Sequence, residues 1–293
     1  MIEHINWYPG HMKKTRELIE ENLKAVDLVI ELIDSRIPVS GENPMIGEML
    51  KGKERIVVLA KADLAEEAAT KEWLEHFSKR ASGAIAIDVR NKADIKRLIK
   101  LLSDREKQLA EKRKMNRALR LMIVGIPNVG KSSLINALAG RKSAQTGNKP
   151  GVTRGKQWLT ISSGMQLLDT PGILWPKFED NEVGLHLAFC GSIKDDILGV
   201  QDLAFELIRF LEKEYPDRLM QRYGLEDLSD ETLENMEHIA EKRGCLLPGR
   251  RIDYERTGRM VLNEFREGLL GRITIEKAEA TEGADATEKA DRN

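Results

Sequence analysis

The chain has 293 residues, a formal net charge of −1 and 41% hydrophobic residues, which suffices to bury a sizeable core. It has no run of about 18 apolar residues, which excludes a predicted membrane span, and its start lacks a basic and then apolar signal region. Its two cysteines are too few for a disulfide framework and lack metal-ligand spacing. We therefore expect a cytoplasmic protein.

Apolar runs alternate with stretches of helical spacing throughout the first half of the chain. Strands and helices that alternate in this way predict an α/β fold, with a mostly parallel sheet and helices on both faces. In chain order, the predicted elements are a helix over 11–26, strands over 27–33 and 55–60, a helix over 64–77, a strand over 84–87, a helical connection over 93–119 and strands over 121–124, 157–161 and 165–169.

A phosphate-binding motif begins directly after the predicted strand over 121–124. The string Gly125-Ile-Pro-Asn-Val-Gly-Lys131-Ser132 fits the pattern G-x-x-x-x-G-K-[ST], and a short helical segment follows it. Backbone N–H groups of such a loop point at one phosphate, Lys131 can reach the β- and γ-phosphates, and the Ser132 hydroxyl can ligate Mg²⁺. An ordinary glycine-containing turn is the competing interpretation. The residues expected to bind the nucleotide are Asn128, Val129, Gly130, Lys131, Ser132 and Ser133.

Two further segments predict the switches of a nucleotide hydrolase. Asp169 ends a predicted strand in the string Asp169-Thr-Pro-Gly172, where its carboxylate can hold Mg²⁺ through water and the Gly172 N–H can sense the γ-phosphate. An earlier loop contains Thr153, whose hydroxyl can close over the metal; a plain surface loop is the alternative. No acidic residue occurs from Ser132 to Leu168, which favours a surface for phosphate, either of the nucleotide or of RNA.

The order of the motifs is unusual for a GTPase. Ordinarily a strand ending in Asn-Lys-x-Asp follows the phosphate loop, and its Asp reads the guanine N1 and N2 donors. Here the corresponding residues, Lys61-Ala-Asp63, precede that loop. The chain therefore resembles the circularly permuted GTPases, and specifically the ribosome biogenesis GTPase A (YlqF) family, over residues 7–275. Further strings that carry the resemblance are Trp7-Tyr-Pro-Gly-His11-Met12, Asp34-Ser-Arg36-Ile-Pro38, Asn43-Pro44-Met45, Asp169-Thr-Pro-Gly-Ile-Leu-Trp-Pro-Lys-Phe178 and Glu241-Lys-Arg-Gly-Cys245.

The resemblance implies a circularly permuted P-loop GTPase domain over 1–175 and an all-helical domain over 176–275 that contacts ribosomal RNA. It implies GTP with Mg²⁺ held by Ser132, Thr153 and Asp169, and guanine contacts from Lys61 and Asp63. The implied partners are a precursor of the large (50S) ribosomal subunit, its 23S rRNA and ribosomal proteins, in late assembly, with release on hydrolysis. We expect a monomer when free, and a disordered acidic tail over 276–293, where six acidic and three basic residues occur.

The residue that orients the catalytic water is assigned by resemblance. Many GTPases carry Gln directly after Asp-x-x-Gly, but this chain has Ile173, which we expect to shield the water or to make His11 enter from outside the pocket. His11 resembles the family's catalytic histidine; a structural histidine packed by Trp7 and an RNA-facing side chain are the alternatives. Asn128 resembles the asparagine through which potassium-activated GTPases ligate K⁺, and a turn-forming Asn is the alternative.

Two positions depart from the family pattern. Ala60 replaces the Asn of Asn-Lys-x-Asp, and Asp88-Val-Arg-Asn91 replaces a small Ser-containing loop. Ala60 and Ile173 support a rival function, a non-catalytic RNA-binding module gated by nucleotide. A tRNA-modification GTPase is disfavoured, because the sequence shows no cofactor or modifying domain.

Strand signals nearly vanish after residue 176. Helices are predicted over 200–215, from Ser229 as N-cap to Gly244, and over 250–270. Because acidic residues are interleaved, a solvated helical surface is one interpretation, and an rRNA-binding surface is the one that the resemblance implies. The basic residues of this region include Arg218, Arg222, Lys242, Arg243, Arg250, Arg251, Arg256, Arg259, Arg266 and Arg272.

Overall fold

The computed structural model describes residues 11–114, 117–140, 157–161, 164–170, 172–174 and 180–278, with the backbone alone at 11–15, 113, 157, 169 and 196. The described residues divide into two units. Residues 11–174 and 274–278 form the first, which we call the GTPase unit after the domain that the resemblance implies, and residues 180–273 form the second, which we call the helical unit. Among the helices in these ranges, none is both long enough and apolar enough to cross a membrane.

A six-stranded sheet forms the centre of the GTPase unit and confirms the predicted α/β fold. Four neighbouring pairs are parallel, and the edge strand β5 alone runs antiparallel to its neighbour within this sheet. The spatial order is β3-β2-β1-β4-β6-β5. The strands are β1 Leu28–Asp34, β2 Glu54–Ala60, β3 Ala84–Ile87, β4 Arg120–Gly125, β5 Gln157–Thr160 and β6 Gln166–Asp169.

Helices of the GTPase unit connect these strands and cover the sheet. The short α2 and α3 were not predicted; each has a proline in its first turn, and the Asn43 side chain caps α3 by accepting from the Met45 N–H at 3.0 Å. The predicted connection over 93–119 is shorter in the structure, because Lys114 adopts a left-handed backbone that ends the helix. The helices are α1 His11–Leu23, α2 Pro38–Gly41, α3 Pro44–Met49, α4 Glu67–Arg80, α5 Lys92–Arg113 and α6 Lys131–Ala139.

The sheet order is that of a permuted chain. The strand that leads into the phosphate loop, β4, is fourth in the chain but lies between β1 and β6 in the sheet. The strand that leads to Lys61 and Asp63, β2, comes earlier and lies on the other side of β1. The helix α5 runs between edge strand β3 and central strand β4, as expected for the connection that joins the two ends of an unpermuted GTPase.

Two clusters of buried side chains form on the GTPase unit's sheet. The first brings α1 and α3 onto β1, β4 and β6; its members include Ile19, Leu23, Val29, Ile46, Met122, Val124, Leu168 and Ile173. The second brings α4 onto β1 and β2; its members are Ile33, Val57, Leu59, Trp73 and Phe77. These side chains hold the loops at the carboxyl ends of the strands in fixed relative positions.

One charged residue interrupts the apolar middle of β1. The Glu31 side chain is 1% exposed, and its Oε2 accepts from Arg55 Nη1 at 2.7 Å. Burial raises the pKa of Glu31 to about 7, although the positive charge of Arg55 opposes this shift. The protonated form of Glu31 is therefore favoured in the folded protein relative to the unfolded chain.

We expect Glu31→Gln to remove part of the pH dependence of stability. Because the pKa is raised from 4.5 to about 7, the stabilisation is fully present below pH 4.5 and is lost as pH rises through 7. Between those limits the free energy of unfolding should fall by about 3 kcal/mol more in wild type than in the variant. Urea denaturation across this range measures the difference, with the exposed Glu72→Gln as control. Parallel curves for wild type and Glu31→Gln would contradict the prediction.

The helical unit confirms the predicted helical C-terminal region, but it is not all-helical as predicted, because it also contains a two-stranded sheet; two further details differ. Ser229 is not the cap of α10, since the helix begins at Thr232; the Ser229 hydroxyl instead contacts Glu234 Oε2 at 2.5 Å. The helix predicted over 250–270 is shorter, because a two-stranded hairpin precedes it and Asp253 caps it by accepting from the Arg256 N–H. The elements are α7 Asn181–Phe189, α8 Val200–Glu214, α9 Pro216–Tyr223, α10 Thr232–Lys242, β7 Leu246–Leu247, β8 Arg251–Ile252 and α11 Tyr254–Arg266.

Residues 274–278 return to the GTPase unit, and we call them the return segment. Glu276 Oε2 accepts from the Val39 N–H at 2.6 Å, and the Glu276 carbonyl accepts from Trp73 Nε1 at 2.8 Å. The Ile275 N–H donates to the Arg36 carbonyl at 2.8 Å. The predicted disordered tail thus differs at its start, because Glu276 is held by these bonds; residues 279–293 lie outside the described ranges.

Candidate nucleotide site

The phosphate loop connects β4 to α6 through a backbone that only certain residues allow. Gly125 has a φ of +154°, and a Cβ there would lie 2.5 Å from the Leu32 carbonyl oxygen. Gly130 has a φ of +108° and precedes the first residue of α6. These conformations curl the chain so that the loop and the N-terminus of a nine-residue helix face the same space. The fold therefore places the predicted motif in the strand, loop and helix that phosphate binding requires.

Lys131 lies at the floor of this loop. It is 8% exposed, and its Nζ donates to the carbonyls of Ile126 at 2.7 Å and Gly125 at 3.1 Å. An ammonium held by loop carbonyls can turn to phosphate oxygens without leaving the loop. Ser132 and Ser133 follow in the first turn of α6 and are partly buried. Asn128, with a φ of +58°, and the buried Val129 complete the loop.

Gly172 packs directly against the phosphate loop. A Cβ at this position would lie 2.8 Å from Lys131 Nζ and 2.8 Å from both N and Cα of Pro127. The following residue, Ile173, donates its N–H to the Gly125 carbonyl at 3.3 Å. Glycine is therefore required for this close approach, because a Cβ would have no room beside the lysine and the loop backbone.

Ile173 is a core residue. Of its two expected roles, its burial argues against shielding the catalytic water, and the entry of His11 from outside the pocket stays a prediction. Ile173 is fully buried and belongs to the same cluster as Ile19 and Leu23 of α1. Its carbonyl accepts from Asn43 Nδ2 at 3.1 Å. His11 is the first residue of α1. The residue after Gly172 is thus packed against the helix that carries His11.

Several predicted residues lie wholly or partly outside the described structure. Thr153 falls in the undescribed residues 141–156, and the side chains of His11 and Asp169 are not described. The backbone of Asp169 ends β6, which is parallel to β4. Because carboxyl ends of parallel strands meet at one edge of a sheet, Asp169 and the phosphate loop share that edge.

The loops predicted to contact the base lie at the same edge, one and two strands beyond β1. Lys61 follows β2 with a φ of +56°, and its Nζ lies 2.9 Å from Asp34 Oδ2. Arg36 binds the same carboxylate through Nε at 3.0 Å and Nη2 at 2.9 Å. Burial would raise the pKa of Asp34, but the charges of Arg36 and Lys61 hold it well below its ordinary value. Sequence reasoning missed this role of Asp34, although its position at the end of a strand was a usable signal.

Asp63 is placed beside the loop that follows β3. The Ala62 N–H donates to the Ile87 carbonyl at 3.2 Å, which joins the two loops. The Asp63 carboxylate, 24% exposed, forms an ion pair with Arg90 of the loop at 88–91. Ala60 is the last residue of β2, and its carbonyl accepts from the Ser35 hydroxyl at 2.7 Å. The two loops predicted to contact the base are therefore neighbours.

Comparisons with known proteins agree with this arrangement. A family model described as a 50S ribosome-binding GTPase matches residues 120–242, and an RsgA GTPase model matches residues 44–179. Ribosome biogenesis GTPase A of Bacillus cereus is 47% identical over 279 residues, or 94% of each chain. GNP-bound YlqF from T. maritima is 28% identical with a TM-score of 0.62, covering 90% of this chain and 98% of its own. A GDP-bound structure of TM YlqF is 29% identical with a TM-score of 0.62, and the match covers 89% of this chain and 99% of that one.

The motif order and the identity over nearly the whole chain point to one assignment. The strand that leads to the predicted base contacts, β2, precedes the phosphate-loop strand β4 in sequence and is separated from it by β1 in the sheet. Ribosome biogenesis GTPase A of Bacillus cereus and that of Bacillus licheniformis each align with 94% of this chain, which includes both units. This chain therefore belongs to the ribosome biogenesis GTPase A family.

Proposed function

We propose that this protein, a GTPase of ribosome assembly, binds a precursor of the large ribosomal subunit in its GTP state and is released on hydrolysis. The observation that carries the proposal is the close approach of Gly172 to Lys131 and Pro127, which leaves no room for a Cβ. A γ-phosphate bound by Lys131 would have to loosen or tighten that approach. Binding of the triphosphate is thereby coupled to the chain segment that follows Gly172.

The nucleotide is held by three groups of residues in this proposal. The loop from Asn128 to Ser133 binds the phosphates, while Lys61 and Asp63 bind the guanine. Mg²⁺ fits the donor set, because the hydroxyls of Ser132 and Thr153 and the carboxylate of Asp169 supply oxygen ligands only. Bound Mg²⁺ neutralises charge on the phosphates.

K⁺ is a further proposed ligand of the phosphate loop. The amide oxygen of Asn128 is a suitable ligand for a monovalent cation. The left-handed backbone at this position, with a φ of +58°, sets the direction in which the side chain extends from the loop. A monovalent cation beside the phosphates would add positive charge in the transition state without an arginine from a partner.

Hydrolysis depends on how His11 is positioned. The imidazole accepts a proton or hydrogen bond from the attacking water and aligns it on the γ-phosphate. Because Ile173 packs with Ile19 and Leu23, a shift of the segment after Gly172 would be transmitted to α1. The same cluster can therefore link γ-phosphate sensing to placement of the histidine at the start of that helix.

The helical unit is the proposed contact with 23S rRNA, and two groups of its basic residues differ in their surroundings. Arg222 lies 2.7 Å from Glu264, and Arg266 lies 2.6 Å from Asp195, so these arginines stabilise the unit itself. The second group is exposed around the β7–β8 hairpin and the ends of the helices next to it. Its members are Lys242, Arg250, Arg251 and Arg256. We propose the second group as the surface for RNA phosphates.

Turnover and co-sedimentation test the function directly. GTP hydrolysis should be slow for the free protein and rise when purified large subunits are added, and the protein should sediment with those subunits in GTP and less in GDP. Small subunits and ATP are the controls. Sedimentation that depends on nucleotide without any turnover would favour the rival, a non-catalytic nucleotide-gated RNA-binding module. Equal sedimentation in every nucleotide state would contradict both.

A further inference from the structure

The carboxylate assigned to guanine recognition is already bound by a side chain of the protein. Arg90 Nη2 contacts Asp63 Oδ2, and Arg90 Nε lies 3.1 Å from Asp88 Oδ1. The Arg90 side chain is 73% exposed, whereas those of Asp63 and Asp88 are 24% and 23% exposed. One guanidinium therefore bridges the two carboxylates across neighbouring loops.

The loop holds Arg90 in this position through its own hydrogen bonds. The Arg90 N–H donates to Asp88 Oδ1 at 2.9 Å, and the Asp88 N–H donates to Asp94 Oδ2 at 2.9 Å. Asn91 caps α5 by accepting from the Ala93 N–H at 2.9 Å. The backbone from which the arginine extends is thus fixed to the start of α5, and the bridge to Asp63 needs little further ordering of the loop.

The chemistry of the two possible partners of Asp63 is similar. Guanine presents N1–H and the N2 amino group on one edge, and these atoms with C2 and N3 form a cyclic guanidine. Arginine presents the same kind of planar N–H edge and carries a full positive charge. The Asp63 carboxylate can accept hydrogen bonds from the guanine edge or from the arginine edge, but it cannot accept from both edges at once in the same plane.

We propose that Arg90 is an internal competitor of the guanine base, which occupies Asp63 until a guanine nucleotide displaces it. This inference rests on the proposed role of Asp63 and adds a residue that sets nucleotide affinity. When guanine displaces the Arg90 guanidinium from Asp63, the guanidinium keeps its bonds to Asp88 and remains exposed to solvent. The exchange therefore leaves no buried charge without a partner. The competition acts on the base, so it lowers affinity for GTP and GDP alike and leaves ATP unaffected.

Arg90→Ala tests the proposal by equilibrium binding of nucleotides to the full chain. GTP and GDP affinity should each rise about 2- to 5-fold, the range expected for losing an exposed ion pair. The matched control is Arg80→Ala, which removes an exposed arginine paired with the partly buried Glu42 elsewhere in the unit and should change nothing. ATP affinity should not change in either variant. The gain for Arg90→Ala should shrink in 1 M salt, because screening weakens the ion pair in wild type.

Three outcomes would overturn the inference. Unchanged GTP affinity would mean that the ion pair does not compete, and weaker affinity would mean that Arg90 contacts bound nucleotide. An equal gain for ATP would mean that Arg90 blocks the pocket by its bulk. Asp63→Asn separates this result from the proposed site: it should shift preference from GTP toward xanthosine triphosphate. If it does not, the guanine-reading role itself fails; if it does while Arg90→Ala is neutral, the competitor alone is wrong.

Discussion

Replacing Lys131 by alanine is expected to lower GTP turnover by about 100- to 1000-fold, the usual cost of losing one preorganised donor to a transition-state charge. The ammonium lies on the Gly125 and Ile126 carbonyls, where an alanine side chain offers no cation to the phosphates. Single-turnover hydrolysis at saturating GTP measures the effect, with and without large subunits. Nucleotide affinity should fall as well, because the lysine also contacts the bound phosphates.

The Lys131 experiment has a matched control on the neighbouring helix. Lys100 is exposed on α5, so Lys100→Ala removes the same charge without touching the phosphate loop and should keep wild-type turnover. Thermal unfolding must be similar for both variants before the rates are compared, since Lys131 is buried. Wild-type turnover in a folded Lys131→Ala protein would contradict the phosphate-binding role of the loop.

His11→Ala should slow hydrolysis about 10- to 1000-fold while GTP and GDP affinities remain nearly unchanged. A side chain that only aligns the attacking water contributes to the transition state and little to the bound ground state. The magnitude corresponds to a positioned acid–base group. Single-turnover rates and fluorescent-nucleotide titration separate the two quantities, and the variant should stay on large subunits in GTP.

A second variant and a control make the His11 result specific. His11→Gln should recover part of the rate, because an amide can still accept from water. His238→Ala removes an exposed histidine on α10 and should have no effect on hydrolysis. Equal rates in wild type and His11→Ala, both free and with subunits, would refute the catalytic role and favour an RNA-facing histidine.

The parts of the fold that sequence predicted are those with a local signal. The phosphate loop is recognisable because its glycines and Lys131 follow a short apolar strand, and the structure has that strand as β4. The helices α2 and α3 were missed because four and six residues are too few to show a helical period. The β7–β8 hairpin was missed for the same reason, with two residues in each strand.

The contacts that sequence did not predict join residues far apart in the chain. In the sequence, Ile173 occupies the position that a catalytic glutamine has in many GTPases. Only its packing with Ile19 and Leu23 in the structure identifies it as a core residue. The ion pair of Asp63 with Arg90 depends on β2 and β3 lying side by side, which the sequence implies, and on side-chain directions, which it does not. Composition predicted a disordered tail that begins at Glu276. The bonds of Glu276 to backbone amides could not be predicted, because an acidic residue that makes such bonds has no distinct sequence pattern.

The return segment also has a consequence for how the chain folds during synthesis. The amides of Val39 and Ser40, at the start of α2, receive their acceptor from Glu276, across 237 and 236 residues. On a nascent chain, β1 and α2 emerge long before that carboxylate exists, so these amides must stay bonded to water meanwhile. Closing so long a loop is entropically unfavourable until the intervening units have folded and shortened it. The start of α2, which follows the first strand of the sheet, is therefore completed by one of the last contacts to form.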